Sequence, residues 1–202
     1  MFFDTHCHLN SDELFIKKDE LIKEAHDNNV KMIVVPGYDY DSSKKVFELI
    51  KEKNVFGAIG LQPEEITKDN IEGIFNLFSL IPDNPKIVAI GEIGLDYYWN
   101  TENKDLQKQA FIKQIELANK LELPIVIHSR DAFIDTIDII KNHKVNKTGV
   151  VHCCQQNQEL VKQALQLGYY ISFAGPITFK NSKNAPAIID MVPLDKMLIE
   201  TD

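Results

Sequence analysis

The chain has 202 residues, 44% of them hydrophobic and 26% charged, with a formal net charge of −8. This suits a single globular domain spanning residues 1–202, and it disfavours a general nucleic-acid scaffold, which carries a basic face. No apolar run approaches the roughly 18 residues of a membrane span, and Met1-Phe2-Phe3-Asp4 lacks the basic start and apolar core of a signal peptide, so a cytoplasmic, monomeric protein with no membrane partner is expected.

Short β-rich apolar runs alternate with amphipathic stretches throughout. Strands are predicted to begin near residues 1, 31, 55, 86, 124, 148, 169 and 197, with helical patterns over Asp19 to Asn28, Asp41 to Lys53, Asp105 to Leu121, Asp131 to Asn142 and Asn157 to Leu167. In the first strand, alternation of faces points His6 and His8 the same way and Cys7 the other. Four further candidates close apolar runs: Glu92 after Ile-Val-Ala-Ile-Gly, His128 after Pro-Ile-Val-Ile, His152 after Gly-Val-Val, and Asp202 after Met-Leu-Ile-Glu-Thr. His26 and His143, in or after helical patterns, read as surface residues. In the helix expected from Asp131, Phe133, Ile134, Ile137 and Ile140 follow helical spacing, with Asp131 itself supplying acidity to the first turn. Pro82, Asp83, Asn84 and Pro85 read as a turn before the fourth strand. Three cysteines, two of them the adjacent Cys153 and Cys154, suggest no disulfide framework; reduced packing residues are expected, with Cys153 or Cys154 beside a metal as the alternative.

Alternating βα units imply parallel strands joined by right-handed crossovers, and eight of them suit an α/β (β/α)8 TIM barrel whose active site opens at the C-terminal ends of the strands. A doubly wound open sheet competes, but no Gly-rich phosphate loop supports it. The chain stops straight after the eighth strand, so the helix expected there is absent; either the chain is truncated or another surface covers the exposed strand.

The six candidates fall at one mouth and compose a metal site. Glu92 can bridge two divalent ions, with His6, His8 and Asp202 completing one and His128 and His152 the other, and the mixed nitrogen and oxygen donors suit zinc, manganese or iron better than magnesium. Paired cations lower the pKa of bound water and stabilise both oxygens of an in-line displacement. Asp202 is the candidate to orient or deprotonate that water, which makes Asp202 and Glu92 the catalytic pair. Arg130, the single arginine, can grip phosphate or carboxylate bidentately; a salt bridge to Asp131 or Asp96 is its alternative. Lys180 and Lys183 offer weaker phosphate contacts. The run Tyr97-Tyr98-Trp99 after the fourth strand can stack on nucleobases, with Tyr97 taken as the substrate-side residue, or it can simply pack.

These residues together resemble the TatD family of metal-dependent deoxyribonucleases. Phe3-Asp4-Thr5-His6-Cys7-His8-Leu9 is similar to the family's opening motif, Gly91-Glu92-Ile93-Gly94-Leu95-Asp96 to its second, Leu123 to Arg130 to its third, His152-Cys153 to its fourth and Glu200-Thr201-Asp202 to the start of its last. The resemblance implies a phosphodiesterase using two divalent ions (magnesium, manganese or zinc), trimming single-stranded DNA from 3′ to 5′, with His6, His8, Glu92, His128, His152 and Asp202 as ligands. The chain departs from the family where Gly60-Leu61-Gln62-Pro63-Glu64 replaces a G-x-H-P-H pattern. Gln62 can hydrogen-bond substrate but cannot exchange a proton near neutral pH, and Glu64 adds negative charge. Hydrolysis of a small ester, lactone or amide, or a non-catalytic metal-containing binding role, are the competing readings.

Overall fold

A computed structural model describes residues 1–68, 78, 81, 84–99, 101–154 and 157–202. The strands are β1 (Phe2–Asp4), β2 (Val30–Pro36), β3 (Val55–Ile59), β4 (Ile87–Asp96), β5 (Ile125–Arg130), β6 (Val150–Val151), β7 (Tyr170–Phe173) and β8 (Met197–Ile199). They form one eight-stranded sheet in sequential order, every neighbouring pair parallel. The last strand returns to the first: Thr5 N–H donates to the Ile199 carbonyl at 3.1 Å, and Asp202 N–H to that of His6 at 2.9 Å. The result is a nearly closed TIM barrel.

Both faces of this sheet are apolar for a reason visible in the packing. Val34, Ala58, Ala89, Val126 and Val150 fill the interior with Phe56, Val88 and Leu198, while Ile33, Val35, Ile90, Ile127 and Ile171 face outward into the layer shared with the helices. Strands buried on both sides therefore read as continuous apolar runs. Around them lie α1 (Asp12–Phe15), α2 (Lys18–Asp27), α3 (Tyr40–Leu49), α4 (Lys104–Leu121), α5 (Phe133–Asn142), α6 (Gln158–Gln166) and α7 (Ala185–Met191). A capping box starts α3: Ser42 N–H donates to Asp39 Oδ1 at 2.7 Å and Asp39 N–H to Ser42 Oγ at 2.9 Å. Asn157 caps α6 by accepting from Leu160 N–H at 2.9 Å.

Several expectations need correcting. Glu92 lies inside β4, which runs on to Asp96. His6 and His8 follow β1 rather than lying on it, so strict strand alternation is not what brings them together. Asp131 takes a left-handed φ of 52° between β5 and α5, and the acid in the first turn of α5 is Asp135. The turn expected at Pro82 to Pro85 lies partly outside the described residues. Phe2, Phe3 and Ile199 are exposed along the β1–β8 seam. No described helix is long and apolar enough to cross a membrane.

Candidate metal centre

Glu92 sits at the middle of the mouth, buried to 2% exposure. Its Oε2 lies 3.4 Å from His6 Nε2 and 3.5 Å from His8 Nε2; its Oε1 lies 2.8 Å from His128 Nδ1 and 2.9 Å from His152 Nε2. One carboxylate thus presents a separate oxygen to each of two histidine pairs. Asp202 Oδ1 closes the first group at 3.6 Å from His6 Nε2 and 3.5 Å from His8 Nε2. The His6 and His152 rings stack with centroids 4.1 Å apart, which joins the two groups into one cluster.

The donor set fits divalent ions. Glu92 Oε2 is buried without a hydrogen-bond partner, a costly arrangement for a carboxylate oxygen unless a cation meets it. Separations of 3.1 to 3.6 Å around it match the roughly 3.4 Å expected between ligands of a tetrahedral ion with bonds near 2.1 Å. The second group is tighter, its imidazole–carboxylate separations of 2.8 and 2.9 Å being of hydrogen-bond length. Burial pulls His128 down, but its bonds to Asp96 and Glu92 outweigh that and raise it to about 9. Burial likewise opposes the charge on His152, and Glu92 and Glu200 reverse it, carrying its pKa well above the usual histidine range. Glu92 is held well below the ordinary carboxylate range because the surrounding histidines overcome its burial.

Sequence pointed to none of the carboxylates behind the histidines as their partners. Asp96 Oδ2 accepts from His128 Nε2–H at 2.8 Å. Glu200 Oε1 lies 3.6 Å from His152 Nδ1, accepts from Cys153 N–H at 2.7 Å, and its Oε2 accepts from Ser172 Oγ–H. Asp4 clasps the seam: Oδ1 accepts from His6 N–H at 3.2 Å and Thr201 N–H at 3.1 Å, Oδ2 from Thr201 Oγ1–H at 2.7 Å. The readable signal for Asp96 is its spacing from Glu92, four residues along one strand and so on the same face.

Beside the centre opens a cavity of about 340 Å³ whose lining includes His128, Arg130, His152, Phe179 and Asp202. The Arg130 guanidinium carbon stands 3.9 Å from the Tyr98 ring centroid and 5.4 Å from that of Trp99, and both rings are exposed. Tyr97 is placed differently: its hydroxyl donates to Asp135 Oδ2 at 2.6 Å and Lys104 lies over its ring. Gln62 is half-buried, its N–H bonded to the Tyr38 carbonyl at 2.8 Å, and the Tyr38 ring packs edge-on to His8. Glu64 brings a carboxylate within 4.8 Å of donor atoms on Asp96 and His128. Cys7, Cys153 and Cys154 are free thiols, and burial raises the pKa of each.

A parallel barrel whose mouth gathers histidines and carboxylates around one bridging glutamate is the architecture of a metal-dependent barrel hydrolase. The TatD related DNase profile matches residues 3–202, and the chain belongs to that family of metal-dependent hydrolases, enzymes acting on ester bonds. It is 38% identical to the metal-dependent hydrolase YabD of Bacillus subtilis over all of this chain and 80% of that protein. It is 33% identical to the metal-dependent hydrolase YcfH of Escherichia coli K12, over 98% of this chain and 76% of that one. Among solved structures, the TatD homologue YjjV of Escherichia coli superposes with a TM-score of 0.90 at 29% identity, covering 100% of this chain and 78% of that one.

Proposed function

We propose that this chain is a DNA phosphodiesterase that releases nucleotides from single strands. The observation carrying this reading is Glu92, whose two oxygens face two histidine pairs, one of which, His128 and His152, lines a cavity that also holds Arg130. His6, His8, Glu92 and Asp202 would hold one divalent ion, and Glu92, His128 and His152 a second. Bound there, the ions supply a Lewis acid for a phosphoryl oxygen and a water of lowered pKa. Asp202, its side chain one-third exposed on the cavity lining, would take the proton of the attacking water. Arg130 offers a bidentate fork to the non-bridging phosphate oxygens. Tyr98 and Trp99 present rings on which a base can stack without regard to sequence, which favours single strands. Tyr97 supports this loop from behind, and Gln62 offers the substrate a neutral hydrogen-bonding group. The 3′ to 5′ direction rests on the family resemblance.

The test is cleavage of end-labelled single-stranded DNA with magnesium, manganese or zinc, beside His128→Ala and Asp202→Ala. A stepwise ladder lost in both variants supports the proposal and reads the polarity. Fully metallated protein that releases no nucleotide with any of these ions refutes it. Glu64 favours one second reading, hydrolysis of a small ester or lactone, since its carboxylate adds negative charge at the mouth. Turnover of such esters unaffected by competing DNA would select it.

A further inference from the structure

Asp96 is completely buried, and both of its carboxylate oxygens are engaged. Oδ1 accepts from the backbone N–H groups of Tyr98 and Trp99, at 2.9 and 3.0 Å. Oδ2 accepts from His128 Nε2–H at 2.8 Å. The backbone of Asp96 is itself clamped to α4, because Gln107, also fully buried, accepts from Asp96 N–H and donates to its carbonyl, each at 2.9 Å. A fixed carboxylate therefore touches two parts of the mouth at once.

We infer that Asp96 is a positioning residue that sets the tautomer of one metal ligand and the conformation of the aromatic loop together. The inference rests on the proposed metal centre. An ionised carboxylate can only accept, so the imidazole nitrogen facing it must carry a proton, and a ring that gives its other nitrogen to a metal has only that one. The other nitrogen of His128, Nδ1, then turns its lone pair toward Glu92 Oε1, 2.8 Å away, where a shared ion would lie. Without this carboxylate the ring is free to carry its proton on the metal-facing atom. The same carboxylate, through Oδ1, holds the turn that exposes Tyr98 and Trp99. Base stacking and metal ligation are in this way anchored to one side chain. Glu200 stands behind His152 in a similar place, but its 3.6 Å separation and its bonds to Cys153 and Ser172 make it the looser orienting group.

An asparagine at this position separates the two roles. In Asp96→Asn the amide oxygen still accepts from the Tyr98 and Trp99 N–H groups, while the amide NH2 becomes a donor toward Nε2 and forces the His128 proton onto Nδ1. Zinc affinity, measured by chelator competition, is expected to fall about 10- to 100-fold, with tryptophan emission and melting of the metal-free protein close to wild type. Asp96→Ala should lose affinity to the same degree and also shift the Trp99 emission. Nitrogen-15 spectra of unmutated, zinc-loaded protein should show His128 protonated at Nε2.

Asp96→Asn binding zinc within threefold of wild type overturns the inference and leaves Asp96 a structural residue. So does the loss of one whole zinc equivalent at saturation, which would make Asp96 a ligand, with Glu64 and His128 as its partners. A zinc-loaded wild type carrying the proton on Nδ1 overturns it as well. Wild-type protein that binds no zinc refutes this inference and the metal centre beneath it, whereas normal wild-type binding combined with unimpaired Asp96→Asn refutes this inference alone.

Discussion

Gly94 is where the backbone and the candidate centre test each other most sharply. It lies two residues after Glu92, pairs with His128 across β4 and β5, and has a φ of 143°, a conformation that L side chains rarely adopt. A Cβ built there would sit 2.0 Å from the His128 carbonyl oxygen, against 3.4 Å for ordinary contact, so β5 would have to move by about 1.4 Å at a candidate ligand. Backbone strain of about 1–3 kcal/mol and overpacking of about 1–3 kcal/mol together predict that Gly94→Ala loses about 2–6 kcal/mol. At about 2–4 °C per kcal/mol for a domain of this size, the melting temperature falls by roughly 4–24 °C. Displacing His128 by an ångström should also lower turnover by about 100-fold. Gly175→Ala is the matched control, since its Cβ meets nothing within 4 Å and its φ lies outside the restricted range; it should be neutral or gain about 0.4–1 kcal/mol. Urea denaturation of both variants checks the pair. If Gly94→Ala unfolds within about 0.5 kcal/mol of wild type, the argument that this strand cannot accept a Cβ beside His128 is wrong.

Removing metal should be equally legible. With zinc held at about a thousand times its dissociation constant, binding contributes about 4 kcal/mol, so chelation should lower the melting temperature by roughly 8–16 °C, whereas Glu92→Gln should melt at nearly the same temperature with and without chelator. Trp99→Ala should weaken single-stranded DNA binding by about 1–3 kcal/mol, roughly 5- to 150-fold in the dissociation constant, with little loss for an abasic strand of the same length; equal losses for both strands would rule out base stacking on Trp99. Asp135 is held below its ordinary 3.8 first by Lys108 and then by Tyr97. A depressed carboxylate stabilises the fold above its unfolded pKa and ceases to do so as pH falls through the folded value. Asp135→Ala should therefore cost about 1–2 kcal/mol at pH 7, allowing for its partial exposure, and the gap from wild type should close as pH drops below about 4. A gap that persists at pH 2 would mean that packing, rather than charge, makes the difference.

The barrel was legible because its strands are apolar on two faces at once, Val34, Ala89 and Val126 inward and Ile33, Ile90 and Ile127 outward, so each run stood out against the helical spacing on either side. What periodicity missed lies where polar groups take over backbone duties. A glutamate looked like the end of β4 because a charge inside a buried strand is costly, yet the strand continues through Glu92 to Asp96 because both carboxylates face the mouth and the histidines there. The same exchange explains Gln107 and Gln114, which are polar by type and wholly or nearly wholly buried: their amides bond the backbones of Asp96 and Leu61 where the mouth loops leave N–H and carbonyl groups unpaired. His6 and His8 converge for a related reason. They leave the regular ladder after Asp4, whose carboxylate takes the His6 and Thr201 N–H groups, so a side chain fixes the geometry that alternation alone would have had to supply. Loop positions carrying chemistry are thus held by buried carboxylates and amides on the strand ends and on α4, and these are the residues whose substitution should disturb the centre without touching a ligand.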